Sequence, residues 1–318
     1  MDREMNGQRR LTPEERAIRV KQLKRKRMFR LAIVIAAFAL VISIIISPII
    51  IFAVLRVKNF TVEGAAKYQN EEIIAASGIA YGKSLVFADL DEAAAAIEKT
   101  LPYTNNVKLT KKLPNGIVIR LEETSVLFAV EIGNGMYALT NGDMKVLELS
   151  GDLPDGTTLI TGAIPLEAEP GSELEFAVKD DEQGDRTLEL LKTISKAMAS
   201  VEVKDIDLIN ISSRASIYMI HQERIVIRLG DSSEIERRLS LALRVIKEEE
   251  NINPIDSGIV TSTILGQASF NPSDEEDIAE LVEYKEKYAS EKAEPEAEAE
   301  ENGGENTENS DNTGENED

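Results

Sequence analysis

The stretch Gly78–Ser84, GIAYGKS, brings together the glycines, lysine and hydroxyl residues from which phosphate-binding loops are made. Such a loop cradles phosphates on its backbone N–H groups and sets Lys and Ser/Thr against the phosphates and their Mg²⁺. The chemistry needs two glycines five positions apart, but Gly78 and Gly82 are four apart and Ser77 stands where the first glycine belongs. The stretch also follows a helical segment, NEEIIAAS, where the motif requires a strand. His221 is the only histidine, and neither a Gly-x-Ser-x-Gly elbow nor a Ser-x-x-Lys pattern occurs, so no activated serine is expected. Carboxylates come in runs: Glu122 with Glu123, Asp205 with Asp207, and Asp180 with Asp181 and Glu182. A glycosidase pair needs two carboxylates in one cleft with different environments, whereas runs of this kind are expected on solvated faces and turns. With one His, no Cys and no Asp-x-Asp-x-Asp-Gly loop, neither a dedicated metal site nor a cofactor site is expected.

The elements that would hold these residues begin with an apolar run. Leu31 to Leu55 is 25 residues without a charge, enough for a helix to cross a bilayer core of about 30 Å. Residues 1–30 carry 11 Lys/Arg against 4 Asp/Glu, and the cluster KQLKRKRMFR (21–30) abuts the run. The positive-inside rule then places the N-terminus in the cytoplasm and everything after residue 56 outside, as in a type II single-pass protein of the cell membrane. The run exceeds a signal-peptide core and ends at bulky Val54-Leu55, so an uncleaved anchor is expected. Outside the membrane there is no nucleotide pool for Gly78–Ser84 to use. The basic segment, without interleaved aromatics, fits anionic lipid headgroups rather than nucleic acid. Its residues 13–27 are expected to form a helix on the inner surface.

Residues 56–63 read as a strand. A short helix with Asn70 as N-cap ends at Gly78, and a second helix, DEAAAAIEKTL, is capped by Asp89 or Asp91. VKLTKKL (107–113) and IVIRLEE (117–123) alternate around Pro114-Asn115-Gly116 and predict a hairpin. Further on, VLFAVEI, MYALTN and KVLEL read as strands, 151–185 as a loop, 186–201 as a helix, and DIDLINISS, SIYMIHQ and RIVIRLG as strands. An amphipathic helix covers 232–250, and GIVTSTILGQASF (258–270) reads as one last strand. Ser273-Asp-Glu-Glu276 predicts a capping box opening a charged helix to about Ser290. Residues 291–318, with 12 acids, one Lys and no apolar periodicity, are expected to be disordered.

This arrangement resembles the FtsQ/DivIB family of bacterial cell-division proteins. The likeness is carried by VKNFTVEG (57–64), Glu72-Ile73-Ile74, Gly82-Lys83-Ser84-Leu85, Leu90-Asp91 and LPYTNNVKLTKKLPNGIVIRLEE (101–123). It continues through Tyr137–Asn141 with Gly142, Leu153-Pro154, Thr161-Gly162, Gly258-Ile259 and Ala268–Pro272. The chain departs from the family at Leu113, where a Trp or another bulky residue is usual, and at Val260, where an Asp is usual.

The resemblance implies an α+β fold: a single transmembrane helix, a POTRA domain of order β-α-α-β-β, a second mixed α/β domain and a disordered acidic tail. The expected boundaries are 1–30 cytoplasmic, 31–55 transmembrane, 56–124 POTRA, 125–272 second domain, 273–290 charged helix and 291–318 tail. It also implies a non-enzymatic divisome scaffold at the septum, binding FtsB/DivIC-like and FtsL-like coiled-coil proteins to regulate septal peptidoglycan synthesis, with no small-molecule substrate. A C-terminal strand that receives a partner's extended segment would place the docking edge at Ser262, Thr263, Ile264, Leu265, Ala268 and Phe270. Arg237 and Arg238 would meet acidic partner side chains. Two other readings are a POTRA-bearing secretion or assembly factor and a membrane-anchored cell-wall enzyme.

Overall fold

The structure is a computed structural model and describes residues 13–176, 183–252, 254, 256–264 and 266–289. The acidic tail, Leu265, Asp180–Glu182 and the first part of the basic segment lie outside the described residues. Helix α1 (Pro13–Val54) runs unbroken from the basic segment through Pro48. Within it, the 20 residues Met28–Ser47 are long and apolar enough to cross a membrane. Their Leu, Ile, Val and Phe side chains are exposed.

The chain forms two compact units. The smaller holds residues 1–61, 79–90 and 109–119; the larger holds 62–78, 91–108 and 120–318. After α1 come β1 (Asn59–Glu63), α2 (Asn70–Ala76), α3 (Leu90–Thr100), β2 (Thr104–Lys112) and β3 (Gly116–Glu123), the β-α-α-β-β order read from the sequence. The sheet order is β1-β3-β2.

In the smaller unit residues 79–84 form a turn laid along the chain as it leaves α1. The Val57 N–H donates to the Lys83 carbonyl at 2.9 Å, Gly82 donates back to Val57 at 2.8 Å, and Leu85 donates to Leu55 at 2.8 Å. Val57 and Leu85 are buried beneath it. Gly82 takes φ +81°, a left-handed turn conformation that glycine tolerates best.

In the larger unit, α2 is capped by Gln69, not Asn70. Glu72 falls three residues after Gln69 and accepts its backbone N–H at 3.2 Å, the reciprocal bond of a capping box.

A nine-stranded sheet dominates the larger unit. Its first strands are β4 (Phe128–Gly133), β5 (Met136–Thr140), β6 (Val146–Ser150) and β7 (Thr158–Thr161). A two-stranded ribbon follows, β8 (Pro165–Glu167) with β9 (Glu175–Phe176), and then α4 (Gln183–Ser200). Three more strands, β10 (Ile206–Asn210), β11 (Ile217–His221) and β12 (Ile225–Gly230), lead into α5 (Ile235–Ile252), and β13 (Gly258–Thr261) and β14 (Ser269–Pro272) finish the sheet. The order is β14-β13-β12-β11-β10-β7-β4-β5-β6.

Both faces of this sheet are covered. On one, Leu191, Ile194 and Ala197 of α4 and Leu239, Ala242 and Ile246 of α5 pack against Val130, Ile160, Ile209, Ile227 and Val260. On the other, Ile278 and Leu281, Tyr284 and Tyr288 pack against Ala129, Leu159, Leu208, Ile220 and Val226. Neighbouring strand residues therefore enter opposite cores, as the two-residue period of a strand requires.

Several expectations are corrected here. The stretch 151–185, read as a loop, contains β7, β8 and β9. All four residues of β7 are buried, and it pairs in parallel with both β4 and β10, so it shows no polar/apolar alternation. The segment 258–270 is not one strand: β13 and β14 are antiparallel and separated by a turn at 262–268. Ser273 opens no capping box: the next turn is a 3₁₀ segment, Glu275–Asp277, whose N-cap is Asp274 and which has no side-chain cap bond. Helix α6 (Ala279–Tyr284) follows and runs on as π-helical backbone over Lys285–Ala289. Helix α5 begins at Ile235 rather than 232, since Asp231 Oδ1 takes up the Ser233 N–H (3.0 Å) and hydroxyl (2.5 Å) in a tight turn.

Candidate partner-binding edge

Strand β14 is the last strand of the nine-stranded sheet, paired on one side only, with β13. An edge of this kind presents main-chain groups that another strand can use. Ser269, Asn271 and Pro272 are exposed and Phe270 is half-buried. Pro272, with no N–H to give, is placed where sheets tolerate proline.

What holds β14 in register is the pair Gly258 and Phe270. A Cβ on Gly258 would stand 2.4 Å from the Phe270 ring and 2.9 Å from the Asn271 carbonyl oxygen, so the ring lies flat on bare backbone. From there Phe270 reaches the α4/α5 core, and its backbone is paired with Val260. Position 260 thus serves the sheet interior, with Val260 fully buried.

The turn before β14 is anchored from α5. The Arg238 guanidinium donates to the Leu229 carbonyl at 2.9 Å, to Asp231 Oδ1 at 2.7 Å and to Ser233 Oγ at 3.1 Å, and the side chain is buried. The carbonyl of Arg238 in turn accepts the Ser262 hydroxyl at 3.1 Å. Bonds from the Ser233 hydroxyl and N–H, with Arg238 added, hold the Asp231 carboxyl below its ordinary pKa.

The residues singled out for partner binding therefore divide. Ser262 is fully buried and Arg238 is committed to internal bonds, so these two shape the edge without presenting side chains to a partner. Thr263 and Ile264 are exposed on the turn, Ala268 is half-buried, and Arg237 is exposed on α5. Ser269 and Asn271 join this surface; reading 258–270 as one strand hid that they alternate with Phe270.

The residues considered for chemistry are not brought together. His221 ends β11 with its Nδ1 donating to the Asp205 carbonyl at 3.0 Å, and burial pushes its pKa down. Glu122 accepts from Asn106 at 2.7 Å. Glu123 accepts the N–H groups of Ala66 and Lys67 at 2.5 Å each. Desolvation is the largest influence on Glu123 and pushes its pKa up, but these bonds with that of Tyr68 together hold it below the ordinary value. Asp207 accepts the Glu223 N–H at 2.6 Å. Among the described residues no group of three or more His, Asp and Glu is placed to hold a metal ion.

The FtsQ-type POTRA domain model matches residues 55–124. A cell division protein DivIB of Clostridium botulinum (strain Loch Maree / Type A3) is 25% identical over 231 residues, covering 72% of this chain and 86% of that protein. The DivIB of Clostridium tetani (strain Massachusetts / E88) is 25% identical over 232 residues, 71% of this chain and 83% of its own. A cell division protein FtsQ of Corynebacterium glutamicum is 25% identical over 133 residues, 42% of this chain and 59% of that protein. The chain is thus similar to DivIB cell division proteins over most of its length and to an FtsQ over less than half of it, and its residues 55–124 match the FtsQ-type POTRA domain.

Proposed function

We propose that the chain is a non-enzymatic, single-pass membrane scaffold of the bacterial divisome. Its N-terminus is cytoplasmic, with the basic segment against anionic headgroups, and its POTRA (56–124) and second (125–272) domains are extracytoplasmic at the septum. The helical segment 273–290 closes the second sheet face, and the acidic 291–318 stretch is a solvated tail. The partners are coiled-coil division proteins of the FtsB/DivIC and FtsL kind. One of them adds an extended segment to β14, and the complex recruits or regulates septal peptidoglycan synthesis.

The observation that carries this reading is the free edge of β14, exposed at Ser269 and Asn271 and held rigidly by Phe270 on Gly258. Strand addition takes its affinity from main-chain bonds and its specificity from alternate side chains. Thr263, Ile264 and Ala268 border the edge, Arg237 is exposed on α5 where it lines a groove with Thr193 and Ser200 of α4, and Leu265, also expected to meet the partner, lies outside the described residues.

The test is photo-crosslinking in cells with a reactive residue placed in turn at Ile264, Ser269, Phe270 and Asn271. Adducts to a small coiled-coil membrane protein, strong at Ser269 and Asn271 and weak at Phe270, are expected. Silence at all four positions, with the protein abundant and folded, would sink the β14 edge as the docking site.

A further inference from the structure

Around a small buried cluster that includes Val57, Leu85 and Ile119, the smaller unit also carries large apolar residues on its outside. Tyr81, Val86, Phe87 and Leu113 are exposed by 62%, 45%, 74% and 72%. They sit on two segments, 79–90 and 109–119, of the unit that also contains α1. Phe87 stacks on Phe52 of α1, with ring centroids 5.6 Å apart and planes 14° from parallel. Tyr81 meets Phe60 edge-on at 5.0 Å. The Lys111 amine donates to the Val86 carbonyl at 3.1 Å, tying one segment to the other.

The depth of Phe52 decides what these residues face. Phe52 lies three residues before the outer end of the charge-free run Leu31–Leu55, on the same helix. That is about 4.5 Å from the end of a run longer than the roughly 20 residues a hydrocarbon core needs, at the interfacial end of the span. Phe87, stacked on Phe52, shares that depth, where aromatic side chains concentrate in membrane proteins.

Charge points the same way. The residues of this unit beyond the span, 56–61, 79–90 and 109–119, carry Arg56, Lys58, Lys83, Lys111 and Lys112 against the single carboxylate Asp89. All five cations are exposed, in a chain whose net charge is -21. A local excess of cations on so acidic a chain, at the membrane end of the fold, matches a negatively charged lipid surface.

We infer that residues 80–87 and 111–113 form a membrane-docking face, distinct from the β14 edge. Phe87, Val86 and Leu113 enter the interface of the leaflet from which α1 emerges, and Lys83, Lys111 and Lys112 contact anionic phospholipid headgroups. The inference rests on α1 spanning the membrane. The docked face would fix the tilt of the POTRA domain on the bilayer.

The chain has no cysteine, so single-site labelling is clean. Full-length variants Phe87→Cys, Leu113→Cys, Leu166→Cys and Ile42→Cys would each carry an environment-sensitive fluorophore. They would be reconstituted into phosphatidylcholine/phosphatidylglycerol vesicles containing spin-labelled lipid. Ile42 reports the span itself, and Leu166, equally exposed on the larger unit, reports the solvent-facing baseline.

Quenching about twofold above the Leu166 baseline is expected at positions 87 and 113. It should fall to that baseline with Lys83→Glu/Lys111→Glu/Lys112→Glu or in phosphatidylcholine alone. Quenching at Ile42 with none at 87 and 113 would overturn the docking face while leaving the span intact. No quenching at Ile42 would overturn both. Quenching at 87 and 113 that ignores lipid charge would overturn the headgroup contacts, and a protein adduct from a photo-crosslinker at Phe87 in cells would give the face to a protein instead.

Discussion

The two compact units solve opposite surface problems with the same residue types. In the larger unit most big apolar side chains are inside, Leu281 and Ile220 fully so, the exposed ones such as Leu166 and Ile252 are far apart in the sequence, and the surface is rich in carboxylates. In the smaller unit Phe87 and Leu113 stand outside among lysines, and beyond the span only Asp89 is acidic. An exposed apolar group in a soluble surface is usually scattered and needs no explanation. Four on two neighbouring segments beside an apolar helix describe a different solvent. The lesson is that burial is measured against the medium a surface meets, and one chain meets two.

Truncation separates the two units most sharply. Leu281→Ala removes a side chain packed wholly inside the sheet–α6 core and should cost about 3 kcal/mol in denaturant unfolding. Phe87→Ala, with its ring 74% exposed, should change the same measurement by less than about 0.5 kcal/mol. A comparable loss from both would break the contrast.

Glycine gives the next largest effect. Gly162 has φ +94° and an added Cβ would stand 2.2 Å from the Ser212 nitrogen, whereas Gly82 has φ +81° with nothing within 4 Å. Gly162→Ala should cost about 2–3 kcal/mol, as severe strain at a special backbone position does. Gly82→Ala should cost only the left-handed backbone penalty of about 1 kcal/mol. Thermal unfolding of the two variants side by side checks the ranking.

Acid should act on the larger unit first. His221 is pushed down mainly by burial, so the unfolded chain takes up its proton at a higher pH than the folded one. Stability from this group is present above the unfolded value of about 6.5 and declines as pH falls below it. His221→Gln should flatten that limb, leaving the later decline near pH 4 to carboxylates such as Glu123 and Asp231, whose pKa values are lowered. The described part of the smaller unit holds no histidine, so an unchanged acid limb in His221→Gln would contradict the assignment.

The smallest expected effect is the ion pair joining β12 to α6. Arg228 Nη2 lies 2.7 Å from Glu280 Oε1, with side-chain exposures of 43% and 20%. A double-mutant cycle should give about 0.5 kcal/mol, diminishing with added salt.

The POTRA order was legible because each of its elements carries a local signal: a capping residue, a run of alanines, a Pro-Asn-Gly turn. Strand β7 was not, because a strand buried on both faces has no period to read and TLIT is only four residues long. The break between β13 and β14 was hidden for a related reason. Thr261 to Leu265 alternates well enough to pass for strand, and only the packing of Phe270 on Gly258 folds it back. The role of α6 and its π-helical extension was missed because five of the eleven residues 279–289 are charged, yet Leu281, Tyr284 and Tyr288 are buried together and close the sheet. The outward apolar residues at 81–87 were visible as residues, but their meaning depends on the stack with Phe52, which no local pattern announces.

The central position of β7 also sets an order of assembly. Strands β4, β5 and β6 can close as consecutive hairpins, and so can β10, β11 and β12. By contrast, Leu159 pairs with Ala129 on one side and Leu208 on the other, each in parallel and far off in sequence. Of the two, the β7–β10 pairing joins the most distant segments of the sheet and carries its largest loop-closure entropy. On the proposed topology, a chain threaded outward from its N-terminal helix leaves β4–β7 with an open seam along β7 until β10 arrives. During that interval the unfinished domain would be a half-sheet whose exposed edge is β7.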